Sequence, residues 1–588
     1  MPVKVTEALK ILHTAPEAAP YRVGLACGFT PLHLQTFLAA HVQQRLPSRR
    51  VEVTPGVYGD VPGNIEGFDP QAAHAMAVAL EWSDLDPRLG YRSAGRWGVA
   101  ALSDILQAAR AMAGRIAGAI ERLAPGIPVA VSLPTLPLPP VFHTTGWQSA
   151  QAELALQQIL LDAASRLAGR PGCLLVNASR LAEESPQAGR LDFKSELLTG
   201  LPYTVPHASA VGCALARLLA PAPPKKGLIT DLDDTLWRDI AGEVGPQGVS
   251  WDLAGHSQLH GLYQKLLASL AEEGVLVGVA SKNDPAVVRQ VFEREDFLLP
   301  PARVFPVEAH WSAKSGSVAR ILEQWNIGPE NVVFVDDSPM ELAEVAGAHP
   351  GIECVLFPKK DYAAGYAMLR RLRDLFGKPR IAEEDGLRLE SLRQAEAFRE
   401  IGGDRAAADV FLRQANAAIS VDSRLSAAEP RVLELVNKTN QFNLNGIRYT
   451  EADWRERLSR PGAFLMVAAY RDRFGPLGKI AAIQGCRSAS ALRIETWVMS
   501  CRAFSRRIEH RCLKWLFDRY PGGEIVFDFA ATPRNGPLQD FFAAFLPERP
   551  SAPFTLARER FEAACPPLFH EVIESETSTD PWTLSQPA

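Results

Sequence analysis

Short, almost unbroken apolar runs alternate through the middle of this chain with longer stretches in which apolar residues recur every three or four positions. The runs Gly227–Thr230, 275–280, 332–335 and 354–357 have the length and composition of buried strands. Between them Leu259, Leu262, Tyr263, Leu266, Leu267 and Leu270 repeat at helical spacing. Asp284-Pro285 predicts a helix start, an N-cap followed by proline at the first helical position, with Val287, Val291 and Phe292 as its buried stripe. Val318, Ile321, Leu322 and Trp325 form a third stripe, which Gly328 is expected to stop. Strand–helix–strand alternation of this kind predicts a doubly wound parallel α/β sheet with helices on both faces.

The flanks follow other patterns. Residues 22–27 and 128–132 read as buried strands separated by alanine-rich helices, so the N-terminal part is also α/β. Beyond a charged helical stretch, the runs 463–467, 480–483, 492–499 and 524–527 mix with helices in an α+β layer. Two joints divide the chain: the proline-rich Pro221-Ala222-Pro223-Pro224-Lys225-Lys226, and a second near Gly377-Lys378-Pro379-Arg380. The expected domains are 1–222, 223–378 and 379–588, in keeping with 588 residues at ~100–200 per domain.

Charge and cysteine usage narrow the class. A formal net charge of −5 argues against a nucleic-acid partner. The eight cysteines form no Cys-x-x-Cys pair, so neither a zinc site nor a disulfide framework is expected, and a reducing cytoplasm is. No charged leader precedes an apolar core, and the apolar runs are too short or too interrupted for a membrane helix. The polar last dozen residues are expected to fray.

The candidate chemistry lies at the ends of the central strands. Asp231 and Asp233 follow the first strand, where residues i and i+2 share a face and project into the crevice that open α/β sheets use for ligands. Ser281 ends the second strand, Lys314 precedes a helix, and Asp336-Asp337 end a later strand. This ordered set resembles the four motifs of the haloacid dehalogenase-like phosphotransferases. Asp231 would attack phosphorus, Asp233 would protonate the leaving oxygen and then activate water, and Ser281 and Lys314 would hold the phosphoryl oxygens. Asp231, Asp233, Asp336 and Asp337 are the expected ligands of Mg²⁺, which prefers oxygen donors. Thr235, Arg238 and Asn283 flank them as candidate substrate contacts. Any one of these, taken alone, is as easily a helix cap or a solvated loop residue.

Longer strings narrow the resemblance. Asp231-Leu232-Asp233-Asp234-Thr235-Leu236-Trp237, Ser281-Lys282-Asn283-Asp284, His310-Trp311-Ser312-Ala313-Lys314, Asn437-Lys438-Thr439-Asn440-Gln441-Phe442 and Met499-Ser500-Cys501-Arg502 resemble the FkbH-like proteins over about residues 225–545. The resemblance implies an enzyme that loads a glyceryl group from 1,3-bisphosphoglycerate onto the phosphopantetheine thiol of an acyl carrier protein, with dephosphorylation, in polyketide biosynthesis. It also implies a GNAT-like acyltransferase fold for the C-terminal part. There Cys501 is either a covalent acyl carrier or a small buried hydrophobe, and Asn437 and Asn440 either line the acyl site or form a polar turn. Asn535 either contacts the pantetheine arm or caps a helix. Arg502 and Arg506 are expected to hold a phosphate, and the run continuing through Arg507, Arg511 and Lys514 either docks an acidic carrier protein or forms a solvated helix face. Ser505 and Arg507, and likewise Arg238 and Asp239, stand where the family usually carries glycines. Residues 20–220 loosely resemble SGNH hydrolases. No serine follows the first strand, where Cys27 stands instead, and Thr204-Val205-Pro206-His207 replaces Asp-x-x-His. A degenerate structural or docking domain is therefore expected there. The alternatives are a stand-alone Mg²⁺-dependent phosphatase and a non-catalytic carrier-protein-binding partner.

Overall fold

The computed structural model describes residues 3–574 apart from 94–96, 125, 379–380, 382–388, 391, 394–404, 424–429, 440, 474, 488–491, 501–502, 505 and 521. Two compact units emerge, Met1–Pro223 with Thr450–Ala452, and Pro224–Tyr449 with Asp453–Ala588. The second unit carries two sheets. Among the described residues no helix is long and apolar enough to cross a membrane, and the seven described cysteines are free.

The first unit is built on five parallel strands, β1 (Pro20–Ala26), β2 (Arg50–Pro55), β3 (Ala75–Ala79), β4 (Val129–Ser132) and β5 (Cys173–Leu175), in the order β2-β1-β3-β4-β5. Apolar clusters cover both faces: Val23, Leu25, Ala75 and Ala77 pack on one, Met76, Val78, Val129 and Val131 on the other. The sequence pattern shows β1 and β4. It hides β3, whose Ala-Met-Ala-Val-Ala composition matches the neighbouring alanine-rich helices.

The second unit opens with another five-stranded parallel sheet, β6 (Gly227–Thr230), β7 (Leu276–Ser281), β8 (Val304–Ala309), β9 (Val332–Asp336) and β10 (Glu353–Leu356), ordered β10-β9-β6-β7-β8. Alternate residues point to opposite faces. Leu228, Val277, Val279, Val333 and Val335 meet Leu267, Leu270 and Leu372 on one side. Ile229, Leu276 and Phe334 meet Val318, Ile321 and Trp325 on the other. The Trp325 ring lies so close that a Cβ at Gly227 or Gly278 would come within 2.4 or 2.8 Å of it. Glycine at these two positions leaves room for the indole.

Local expectations are adjusted in three places. Leu262 lies outside the buried stripe, 44% exposed. Val288 rather than Val287 is the fully buried partner of Val291 in helix Pro285–Phe292, while Val287 and Phe292 pack at its margin. Helix Lys314–Trp325 ends at Asn326 in the left-handed conformation, not at Gly328. Strand β8 escapes the apolar pattern because it is an edge strand carrying Pro306 and Glu308.

The remaining sheet is mixed: β11 (Ala418–Asp422), β12 (Ala463–Asp472), β13 (Gly475–Arg487), β14 (Leu492–Met499), β15 (Glu524–Phe527), β16 (Phe554–Ala557) and β17 (Glu571–Glu574), ordered β16-β15-β14-β13-β12-β11-β17. The β14/β15 and β11/β17 pairs are parallel and the others antiparallel. Helices Ile508–Arg519 and Gly536–Ala543 contribute to the large aromatic core on one face. Helix Pro430–Lys438 and Trp454 pack with Val467 and Val498 on the other.

Candidate active site

Strands β6 and β9 lie side by side, and the backbone N–H of Asp231 donates to the Val335 carbonyl at 2.9 Å. This pairing puts the carboxylates after β6 and at the end of β9 next to each other. Lys314, the first residue of its helix, reaches between them, with Nζ 3.0 Å from Asp231 Oδ2 and 2.6 Å from Asp336 Oδ2. All three side chains are buried.

Two anions thus share one cation in a dry place. Burial pushes the Asp231 carboxyl up to about 7, against the pull of Lys314 and with the repulsion of Asp336. Asp336 is raised for the same first reason, loss of hydration. Burial works against the Lys314 ammonium, but the two carboxylates together outweigh it and hold its pKa above the usual lysine range. The local surplus of negative charge is what an added cation would neutralise.

Carboxylate oxygens of Asp231, Asp336 and Asp337 lie within 4.8 Å of one another. Oδ1 of Asp231 is buried without a hydrogen-bond partner, a costly condition unless a ligand completes it. An all-oxygen donor set with an orphaned oxygen fits a hard divalent cation such as Mg²⁺. The expected fourth carboxylate, Asp233, is not part of this cluster. Its Oδ1 accepts from Trp237 Nε1 (2.8 Å) and Ala241 N (3.0 Å), and its Oδ2 accepts from Asn283 Nδ2 (2.9 Å). Burial nonetheless raises its pKa, which suits a group that holds and releases a proton.

The other residues named from sequence divide into those near this centre and those committed elsewhere. Ser281 ends β7, buried, and its hydroxyl favours the ionised form of Asp231. Asn283 orients Asp233. Thr235 is fully buried and donates from Oγ1 to Asp337 Oδ1 at 3.3 Å, so it positions a carboxylate instead of meeting substrate. Arg238 is anchored on a neighbouring loop, donating from Nη1 to the Gly255 carbonyl at 2.9 Å. Asp239 has φ of 73°, the left-handed region that explains a glycine at this position in the resembling family.

Lys359 was not anticipated. It pairs with Asp234 at 2.7 Å and also with Asp337, at the open side of the cluster. It sits in a loop just past β10, where no periodicity or motif singles out one lysine of the Lys359-Lys360 pair. The only signal is its place after a strand end of an open parallel sheet.

In the C-terminal sheet the expected binding residues turn inward. Asn437 donates to the Tyr449 carbonyl and accepts from the Tyr449 N–H, at 2.8 and 2.9 Å, leaving its amide committed to a turn. Arg506 is 7% exposed, with Nε 3.6 Å from Asp472 Oδ2 and its guanidinium over the Tyr470 ring. It braces β12 and is not presented to a phosphate. Arg507 (φ 58°) pairs with Asp409, Arg511 donates to the His570 carbonyl, and Lys514 pairs with Asp518, so the basic run is largely tied down. Asn535 is buried and donates to the carbonyls of Asn443 and Ala530, a structural bracket. Cys501, Arg502 and Asn440 lie outside the described residues.

In the first unit Cys27 is buried, donates to the Phe29 carbonyl at 3.4 Å, and has its thiol pushed up to about 12 by burial. That is the reverse of an activated nucleophile. His207 is buried between Thr135 Oγ1 (2.8 Å) and Ser185 Oγ (2.9 Å), and desolvation lowers its pKa to about 3.

No known family profile matches the chain, and no curated protein does. Among solved structures, the chain is similar to the N-terminal part of the protein BF1531 from Bacteroides fragilis, which contains a phosphatase domain and was crystallised with Mg. The two are 17% identical, with a TM-score of 0.51 over 64% of this chain and 100% of that one. An uncharacterised Corynebacterium glutamicum protein is 19% identical over 26% of this chain and 98% of its own, with a TM-score of 0.19. An inhibitor-bound aryl esterase of M. smegmatis is 15% identical over 34% and 97%, with a TM-score of 0.20. The first of these likenesses shows that the chain shares its α/β fold with a structure that includes a phosphatase domain.

Proposed function

We infer that the centre at the ends of β6 and β9 is a haloacid dehalogenase-like phosphatase site, and that the chain uses it in loading a short phosphorylated acyl group onto a carrier-protein thiol. The observation that carries the phosphatase reading is the Asp231–Lys314–Asp336 cluster with its orphaned Asp231 oxygen. An Asp231 oxygen attacks phosphorus, and an aspartyl phosphate forms as the ester oxygen leaves with its electron pair. Asp233 supplies the proton to that oxygen, then takes one from the water that hydrolyses the aspartyl phosphate. Ser281 and Lys314 hold the phosphoryl oxygens and offset their charge. Asp231, Asp336 and Asp337 would hold Mg²⁺, which would supply charge neutralisation for phosphate and nucleophile; the Mg-bound BF1531 structure supports this choice.

The acyl-loading part rests on the FkbH-like strings. Incubation with 1,3-bisphosphoglycerate, Mg²⁺ and carrier protein should add the mass of a glyceryl group to the carrier, with phosphate released. A carrier whose mass never changes, beside steady phosphate release, would reduce the reading to a stand-alone phosphatase. The inward commitments of Asn437, Arg506 and Asn535 favour that second reading.

A further inference from the structure

The C-terminal sheet holds a cavity of about 330 Å³. Phe442, Met499, Phe504 and Phe541 supply its apolar walls, and Glu509 and His510 are among its polar members. His510 stands in the first turn of helix Ile508–Arg519 with Nδ1 3.2 Å from Glu509 Oε1. Both side chains are 15% exposed. Nδ1 of His510 and Oε2 of Glu509 are buried without a hydrogen-bond partner among the described residues. The ring meets Phe541 edge-on, with centroids 5.0 Å apart and planes at 85°, and Phe545 at 5.9 Å.

Ring packing on Phe541 and Phe545 does not satisfy the two buried polar atoms, and such groups call for another explanation. A carboxylate beside Nδ1 favours the tautomer with its proton there, which leaves Nε2 as the free base. The charged groups that line the cavity with the ring are Glu509 on its own helix and Asp540 on helix Gly536–Ala543. Both are acidic.

We propose that this cavity takes an uncharged chain ending in a thiol, and that His510 Nε2 removes the thiol proton while Glu509 orients the ring. The proposal deepens the acyl-loading reading above and rests on it. Apolar walls suit an extended neutral tail. A neutral imidazole can take the proton of a thiol, ordinarily ~8.5, far more readily than that of a hydroxyl. In the step, Nε2 takes the S–H proton and the sulfur electron pair forms the S–C bond to the acyl carbon of an acyl phosphate. The C–O bond to phosphate breaks, phosphate leaves with that pair, and the proton passes from Nε2 to the phosphate.

Two measurements on the full chain test this. With ¹³C-labelled histidine, pantetheine should shift the imidazole resonance that is missing from His510→Gln; an unmoved resonance overturns the proposal. In the carrier-protein mass assay, His510→Gln should slow transfer by ~10²-fold or more and lose the rise of rate with pH, while phosphate release from a small phosphoester stays at the wild-type rate. Glu509→Gln should keep transfer but move that rise to lower pH. Transfer by His510→Gln at the wild-type rate and pH profile overturns the proposal. No mass gain from the wild type overturns the acyl-loading reading itself, and the titration still decides the cavity.

Discussion

Two five-stranded parallel sheets occur in this chain, and in each the strand order reverses beside the first strand, between β1 and β3 in one and between β6 and β9 in the other. Such a reversal opens a crevice at the carboxyl ends of the strands. In the β6/β9 crevice the chain gathers three carboxylates, sets two of them against Lys314 and leaves an oxygen of Asp231 unpartnered. In the β1/β3 crevice polar groups are just as buried, but they satisfy one another. Glu81 accepts from Thr135 N, Thr135 Oγ1, Leu136 N and Tyr203 Oη, and Thr135 also meets His207. Asp84 accepts from the Glu81 N–H, and its Oδ1 lies where a Cβ on Gly28 would have to go. The same topology thus holds an underdetermined charge cluster in one place and a closed hydrogen-bond network in the other. An unfilled valence, more than burial or polarity, distinguishes a site from a scaffold.

Substitutions can break that contrast. Asp231→Asn should lower phosphate release by ~10³-fold or more, since the proposed nucleophile is lost; Cys27→Ala should leave the same assay unchanged. Lys314→Ala removes the one cation from two buried carboxylates and should cost about 3–5 kcal/mol of stability in denaturant unfolding. Added Mg²⁺ should restore part of that loss by occupying the same charge well.

The first unit should respond to pH instead. Burial raises Glu81 and Asp84 to about 7, so their stabilising protonated forms are fully present below pH ~4 and are lost as pH rises towards 7. His207, lowered to about 3 by desolvation, acts in the opposite sense: its contribution is complete above pH ~6.5 and is lost as pH falls towards 3. Two acids outweigh one histidine, so this unit should melt at higher temperature at pH 5 than at pH 8 in calorimetry. Asp84→Asn leaves one acid against one histidine and should nearly abolish the difference. Thr135→Val, which strips a donor from Glu81 and the Nε2 partner from His207, should cost a smaller amount, about 1–3 kcal/mol, at any pH in that range.

The same contrast sets what could be read from sequence. The β6–β10 sheet announces itself because three of its strands, β6, β7 and β9, are buried on both faces and so are continuously apolar. Its reactive residues then follow at strand ends, where a carboxylate after an apolar run is conspicuous. Lys359 and the departure of Asp233 from the carboxylate cluster depend on loop paths and on which donors reach a side chain, and no spacing encodes either. In the first unit Glu81 and Thr135 sit beside Trp82 and Pro134, ordinary strand-exit residues whose pairing across the crevice appears only in three dimensions. The C-terminal polar residues mislead for the same reason. Asn437 and Asn535 carry donors and acceptors suited to a ligand, but the backbone of their own fold claims them first.

The adjacency of β6 and β9 also has a consequence for how the protein is made. Asp231 leaves the ribosome about a hundred residues ahead of Asp336, a delay of ~5–20 s at ordinary elongation rates. Until β9 arrives, the apolar strand β6 has β7 on one side only, and its other edge stands open to pairing with a foreign strand. Nascent chains halted short of Asp337 therefore lack the carboxylate cluster and are the species that chaperones should hold longest.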